Sequence, residues 1–195
     1  MMIIAVNSIL TYQRNKIWKD NFSLWNDAVQ KSPHKSRPYN YRGNAYLAQG
    51  NFTGALSDYE RVIELDPKDV DVYGNLGVVY LREGNFSKAK SDFSKAIELY
   101  PDNGIAYMNR GLVNVLEGDL TQALRDYNRT IELNPGYADP YFNRSGIYYQ
   151  LKQYDKALID AQKARELGYP ITPAYVHTLR KDLGQDKQNK SGESF

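Results

Sequence analysis

Asn75, Asn109 and Asn143 recur at a 34-residue interval, and Tyr41 holds the same place one interval earlier. A carboxamide both donates and accepts, so a row of them can pair with the N–H and C=O groups of an extended peptide in a largely sequence-tolerant way. Each net hydrogen bond of that kind contributes about 0.5–1.5 kcal/mol. Micromolar affinity needs roughly 8 kcal/mol, so side-chain pockets must supply the remainder. Beside the row, on the same interval, stand Arg42, Arg110 and Arg144. Their guanidinium groups would either favour an acidic partner or pair with carboxylates of the chain itself. The asparagines have a plainer alternative as well, which is bonding between adjacent helices.

Other chemistry finds no residues to carry it. His34 and His177 are far apart and neither has clustered carboxylates, so metal or acid–base work is not expected. Ser57, Ser91 and Ser94 have no histidine base in reach, which leaves a nucleophile without its activating group. Glycines stand singly, with no phosphate-cradling loop. The chain has no cysteine, which removes disulfides and thiol catalysis and leaves the compartment open. Lysine plus arginine (25) nearly balances aspartate plus glutamate (23), so a nucleic-acid partner is not expected. No catalytic residue, cofactor or metal is therefore assigned.

The elements that must position the asparagines repeat with them. Pro33, Pro67, Pro101 and Pro135 share the 34-residue interval, as do Gly43, Gly77 and Gly111. Units are read at 36–69, 70–103, 104–137 and 138–171, each as helix, tight turn and helix. In the first helix, Tyr39, Tyr73, Tyr107 and Tyr141 precede Gly43, Gly77, Gly111 and Ser145 by one turn, so aromatic and small residue share a face. A glycine inside a helix costs about 0.5–1 kcal/mol relative to alanine, so its recurrence implies close helix packing. The turns are Gly50-Asn51, Gly84-Asn85, Gly118-Asp119 and Lys152-Gln153. Thr53, Ser87, Thr121 and Asp155 follow them and are expected to cap the second helix. Its inward residues include Ala55 and Tyr59, Ala89 and Phe93, and Ala123 and Tyr127. A proline then ends it.

The series Tyr73, Leu76, Gly77, Tyr80, Ala89, Phe93, Ala96 and Pro101 resembles the pattern of tetratricopeptide repeat proteins. The resemblance covers four units and implies an all-α, right-handed α-solenoid of stacked antiparallel helix pairs. It also implies a non-catalytic protein-interaction scaffold whose first helices line a concave groove. On that basis the groove residues are Asn40, Tyr41, Asn44, Asn75, Arg82, Met108, Asn109, Phe142 and Asn143, with Arg42, Arg110 and Arg144 at its rim. One subclass of the family clamps a partner's C-terminal carboxylate with cations and asparagines. Asn44 and Asn75 match that clamp, but Asn40, Ile105 and Asn109 stand where its cations belong, so such a clamp is not expected. The sequence departs from the family pattern at Arg42, Arg110 and Arg144, at Asn114, at Ala161 and at Tyr169.

Residues 1–35 read as a degenerate first repeat with Trp18, Phe22, Trp25, Ala28 and Val29 as its apolar stripe. An alternative takes residues 1–10 as the stub of a membrane span, and membrane contact would come through them alone. In that case the chain is the accessory region of a membrane-bound, glycosyltransferase-like protein that recruits its substrate. A third reading is self-assembly into homo-oligomers. Residues 172–184 are expected to form a capping helix with Ala174, Tyr175 and Leu179 inward and His177, Arg180, Lys181 and Asp182 outward. Residues 185–195 are expected to be a disordered tail.

Overall fold

The computed structural model describes residues 21–192, and the expectations for Trp18 and for residues 1–10 lie outside them. Among the described residues there are ten helices and no strand. They are α1 (Asn21–Lys31), α2 (Ser36–Ala48), α3 (Phe52–Leu65), α4 (Val70–Arg82), α5 (Phe86–Leu99), α6 (Gly104–Leu116), α7 (Leu120–Leu133), α8 (Asp139–Gln150), α9 (Tyr154–Glu166) and α10 (Pro173–Gly192). None is long and apolar enough to cross a membrane. The chain divides into two compact units, Met1–Lys95 and Ala96–Phe195.

Within a helix pair, the packing rests on an aromatic ring laid over a residue without bulk. A Cβ on Gly77 would lie 2.5 Å from the Phe93 ring, closer than carbon atoms approach, so only glycine lets α4 and α5 meet at this spacing. Gly43 with Tyr59 and Gly111 with Tyr127 repeat the arrangement. The fourth pair inverts it. Ala161 replaces the ring, Ser145 replaces the glycine, and the Ser145 hydroxyl donates to the Ala157 carbonyl at 2.8 Å. Tyr175 of α10 reaches in to within 3.0 Å of that hydroxyl.

The pairs are joined by turns whose capping differs from the expectation. Gly50 takes φ +73°, a conformation free to glycine, and Asn51 then accepts from the Gly54 N–H at 3.0 Å. Asn85 and Asp119 do the same for Lys88 at 3.2 Å and Gln122 at 3.0 Å. The N-caps are therefore Asn51, Asn85 and Asp119, not Thr53, Ser87 and Thr121, which already lie inside helices that start one residue after the turn. The fourth turn places Lys152 at φ 58°, and Gln153 after it provides no side-chain cap. The first-helix tyrosines bind each pair to the loop before it. Tyr39, Tyr73 and Tyr141 donate to the carbonyls of Pro33, Pro67 and Pro135 at 3.1–3.3 Å.

At the C-terminal end, α10 covers α9 with Leu179 fully buried and Val176 6% exposed. Ala174 is exposed instead of inward, and Asp182, expected outward, is half-buried and accepts from Tyr149 Oη at 3.0 Å. The helix continues past residue 184, where the sequence suggests a tail. The added stretch holds no proline, and its glutamines and lysines favour helix.

Candidate functional site

In the first unit, α2 and α4 bring three of the candidate asparagines into one hydrogen-bonded cluster. Asn75 Nδ2 donates to Asn40 Oδ1 at 3.1 Å and to Asn44 Oδ1 at 3.0 Å. Asn44 Oδ1 also accepts from the Tyr59 hydroxyl at 2.6 Å. Burial, with the Asp58 charge, pushes the pKa of that hydroxyl up, so it keeps its proton. With the hydroxyl donating to Asn44 Oδ1, the oxygens of Asn40 and Asn44 face the Asn75 amide nitrogen. The Nδ2 groups of Asn40 and Asn44 and the Oδ1 of Asn75 are left as two donors and one acceptor. The bonding between helices that competed with a binding role is thus present, and it leaves free polar atoms on the same residues.

Beside the cluster, α1 supplies an aromatic wall that the sequence reading did not assign to the site. The Trp25 ring stacks on Tyr41 with centroids 4.3 Å apart, and Phe22 meets Tyr46 edge-on at 4.9 Å. Phe22, Trp25, Tyr41, Asn44, Ala48 and Gln49 line a cleft of about 400 Å³. Tyr41 remains 39% exposed, and Asn44 is exposed at the cleft edge. Arg82 lies two turns beyond Asn75 on the same face of α4 and is exposed. The stripe of Phe22 and Trp25 is legible as amphipathic periodicity. Nothing in that periodicity tells whether it faces a core or a cleft.

The second unit builds no such cluster. Around Asn143, Met108 and Leu112 stand at the places that Asn40 and Asn44 hold around Asn75, so no amide is there to bond. Leu112 also leaves the buried Tyr127 hydroxyl without the hydrogen bond that Tyr59 makes. Met108 packs against the core of Ala123, Tyr127 and Ile147 instead of standing free. Phe142 is covered as well, stacked on Tyr169 at 4.3 Å and edge-on to Tyr175 at 5.8 Å. Tyr169 replaces the proline of the other repeats and supplies the ring that closes this end. Asn109 and Asn143 are half-buried on the first helices of their pairs.

The three arginines do not form a rim. Arg42 holds Asp58 through two parallel bonds, Nε–Oδ2 at 2.8 Å and Nη2–Oδ1 at 2.7 Å, and its third nitrogen donates to Asn26 at 2.8 Å. Arg144 repeats this with Asp160 at 2.6 and 2.8 Å and with Asn128 at 2.6 Å. Arg110 grips Asp126 at 3.0 and 2.7 Å. Tyrosine rings flank two of the guanidinium groups, Tyr39 and Tyr46 around Arg42 and Tyr141 and Tyr148 around Arg144, with centroids 5.6–5.9 Å away, and Tyr107 alone lies against Arg110 at 5.5 Å. The hydrogen bond to Asp58 raises the Arg42 pKa against the effect of burial. These cations are committed within the chain and give no support to an acidic partner. The signal for them lies in the sequence, since each aspartate follows its arginine by the same interval.

Among the described residues no group of histidine, cysteine, aspartate or glutamate is placed to hold a metal ion. Three family models match the chain, a TPR repeat over residues 43–84 and tetratricopeptide repeats over 70–103 and 117–168. No curated protein matches it closely. Solved structures do. A crystal structure of MamA aligns with TM-score 0.68 and 23% identity over 75% of this chain and 85% of that one. TTC0263, a thermophilic TPR protein of Thermus thermophilus, aligns at 0.65 with 18% identity over 83% and 88%. Both support the all-α solenoid class. The first TPR of Spaghetti (RPAP3), solved with the HSP90 peptide SRMEEVD, aligns at 0.59 with 28% identity over 60% of this chain and 93% of that one.

Proposed function

We propose, from the premise that the chain belongs to the tetratricopeptide repeat family and is a protein-interaction scaffold, that its first unit holds an extended segment of a partner protein by the backbone. The segment lies along the amide cluster of Asn40, Asn44 and Asn75, with one of its apolar side chains in the cleft against Trp25 and Tyr41. The observation that carries the reading is the directional set left by the network, two donors on Asn40 and Asn44 and one acceptor on Asn75. A peptide bond offers the complementary pair. Three such bonds contribute about 1.5–4.5 kcal/mol, and burying one large apolar side chain adds about 1.5–3. The sum, about 3–7.5 kcal/mol, falls short of the roughly 8 that micromolar affinity needs, so the complex is a weak, exchangeable one.

The RPAP3 repeat takes an acidic peptide, SRMEEVD. In this chain Asn40, Ile105 and Asn109 occupy the places where the carboxylate-clamping subclass carries cations, and Arg42 and Arg110 are paired internally. An acidic C-terminus is therefore a poor fit, and an uncharged extended segment is the better one. The test is selection of linear peptides from a random library on the intact chain, followed by affinity measurement on Trp25→Ala and Asn75→Ala. Selected peptides should share an aromatic or aliphatic anchor without a fixed charge pattern. Recovery of peptides that bind both variants as well as the parent chain would sink the proposal.

A further inference from the structure

We propose that the second repeat carries an open guanidinium seat, formed by Asp92, Tyr73, Tyr80 and Glu60, that takes an arginine side chain from another protein. The other three repeats supply the template. In each, an arginine on the first helix lies against tyrosine and is gripped in two bonds by an aspartate on the second helix. In the first and fourth repeats a third nitrogen bonds an asparagine from the preceding repeat, Asn26 or Asn128. Shifted by one interval, the same places in the second repeat are Leu76 for the arginine, Asp92 for the aspartate and Glu60 for the asparagine. Tyr73 and Tyr80 hold the places of the flanking rings by the same interval.

Leucine ends at Cδ, where arginine continues through Nε to its planar head. Leu76, 4% exposed, thus replaces the stem of the missing residue and supplies nothing to the carboxylate. The consequence is visible at Asp92. Asp58, Asp126 and Asp160 are 2–4% exposed beneath their arginines, whereas Asp92 is only half-buried. No hydrogen bond or ion pair satisfies it among the described residues. Lys88 acts on it electrostatically, but its Nζ lies over the Tyr80 ring at 4.8 Å. Desolvation pushes the Asp92 carboxyl up to about 6, and the charge of Lys88 offsets it only in part.

An arginine suits this seat better than a lysine, because its fork makes two parallel bonds to one carboxylate and its plane stacks on the rings. Glu60 is exposed and adds a second negative charge for the remaining nitrogen. The seat is independent of the amide cluster and does not depend on what that cluster binds.

The experiment is an NMR titration of the intact, isotope-labelled chain with N-acetyl-arginine amide, with the lysine and citrulline analogues as controls. The arginine probe should give saturable shifts at the Asp92 carboxyl and the Tyr73 and Tyr80 rings, and the citrulline probe none. Asp92→Asn should weaken binding at least about tenfold, from loss of the charge-assisted pair. Leu76→Arg should fill the seat and abolish the response, and if that variant does not fold, Asp92→Asn decides alone. Equal responses to arginine and citrulline, or a response that survives Asp92→Asn, would overturn the proposal.

Discussion

Replacing Asp92 by asparagine should stabilise the protein at neutral pH and leave it unchanged in acid. The folded-state pKa of Asp92 is pushed up from 3.8 to about 6 by desolvation, with Lys88 opposing the change. A carboxyl raised on folding binds its proton more tightly in the folded state, so the fold is penalised as pH rises from about 4 through 6 and carries the full penalty above that. A tenfold change in proton affinity corresponds to about 1.4 kcal/mol, and screening at this half-exposed position reduces the whole to on the order of 1 kcal/mol. Asparagine retains the shape and removes the charge. Urea unfolding of parent and variant at pH 4 and pH 7.5 measures the difference. The stability gain should be near zero at the lower pH and about 1 kcal/mol at the higher. An equal gain at both, or a loss at pH 7.5, would refute the argument that Asp92 is an uncompensated charge.

Truncating Arg144 to alanine should cost about 3–5 kcal/mol, because Asp160, 4% exposed, is left buried without its partner. The double change of Arg144 and Asp160 to leucine should recover much of that loss in the same urea assay. Gly77→Ala should destabilise by about 1–3 kcal/mol through the clash with Phe93, and Phe93→Leu should relieve part of it. Asn51→Ala should cost about 1 kcal/mol as a lost N-cap, while Thr53→Ala should cost far less, and reversal of that order would return the cap to Thr53.

The repeat period makes the helix pairs and the glycine contacts legible, because each depends on residue size at a fixed spacing. The caps lie two residues earlier than the spacing suggests. A side-chain oxygen at Thr53 looks as suitable as one at Asn51 until the positive φ of Gly50 shows where the helix begins. The arginines look like a rim when the family pattern alone places them. Only pairing each with the aspartate on the next helix reveals that it is spoken for. In the second unit, Phe142 stands one residue before the row, at the interval of Asn40 and Met108, and so points to a groove. Its cover comes from Tyr169 and Tyr175, which lie outside the repeat pattern that defines the row. The amide cluster is half-legible. The spacing locates Asn75 relative to Asn40 and Asn44, but only the hydrogen bonds among them and with Tyr59 show which way the three amides face.

The central claim is that the first unit holds a partner by its backbone, and methylating each backbone nitrogen in turn along a selected peptide tests it most directly. One position should lose up to about tenfold in affinity, worth roughly one hydrogen bond, although alanine is tolerated at the same position. That sensitivity should vanish on Asn75→Ala, which removes the acceptor. A flat methylation profile, or one unchanged by Asn75→Ala, would contradict the account.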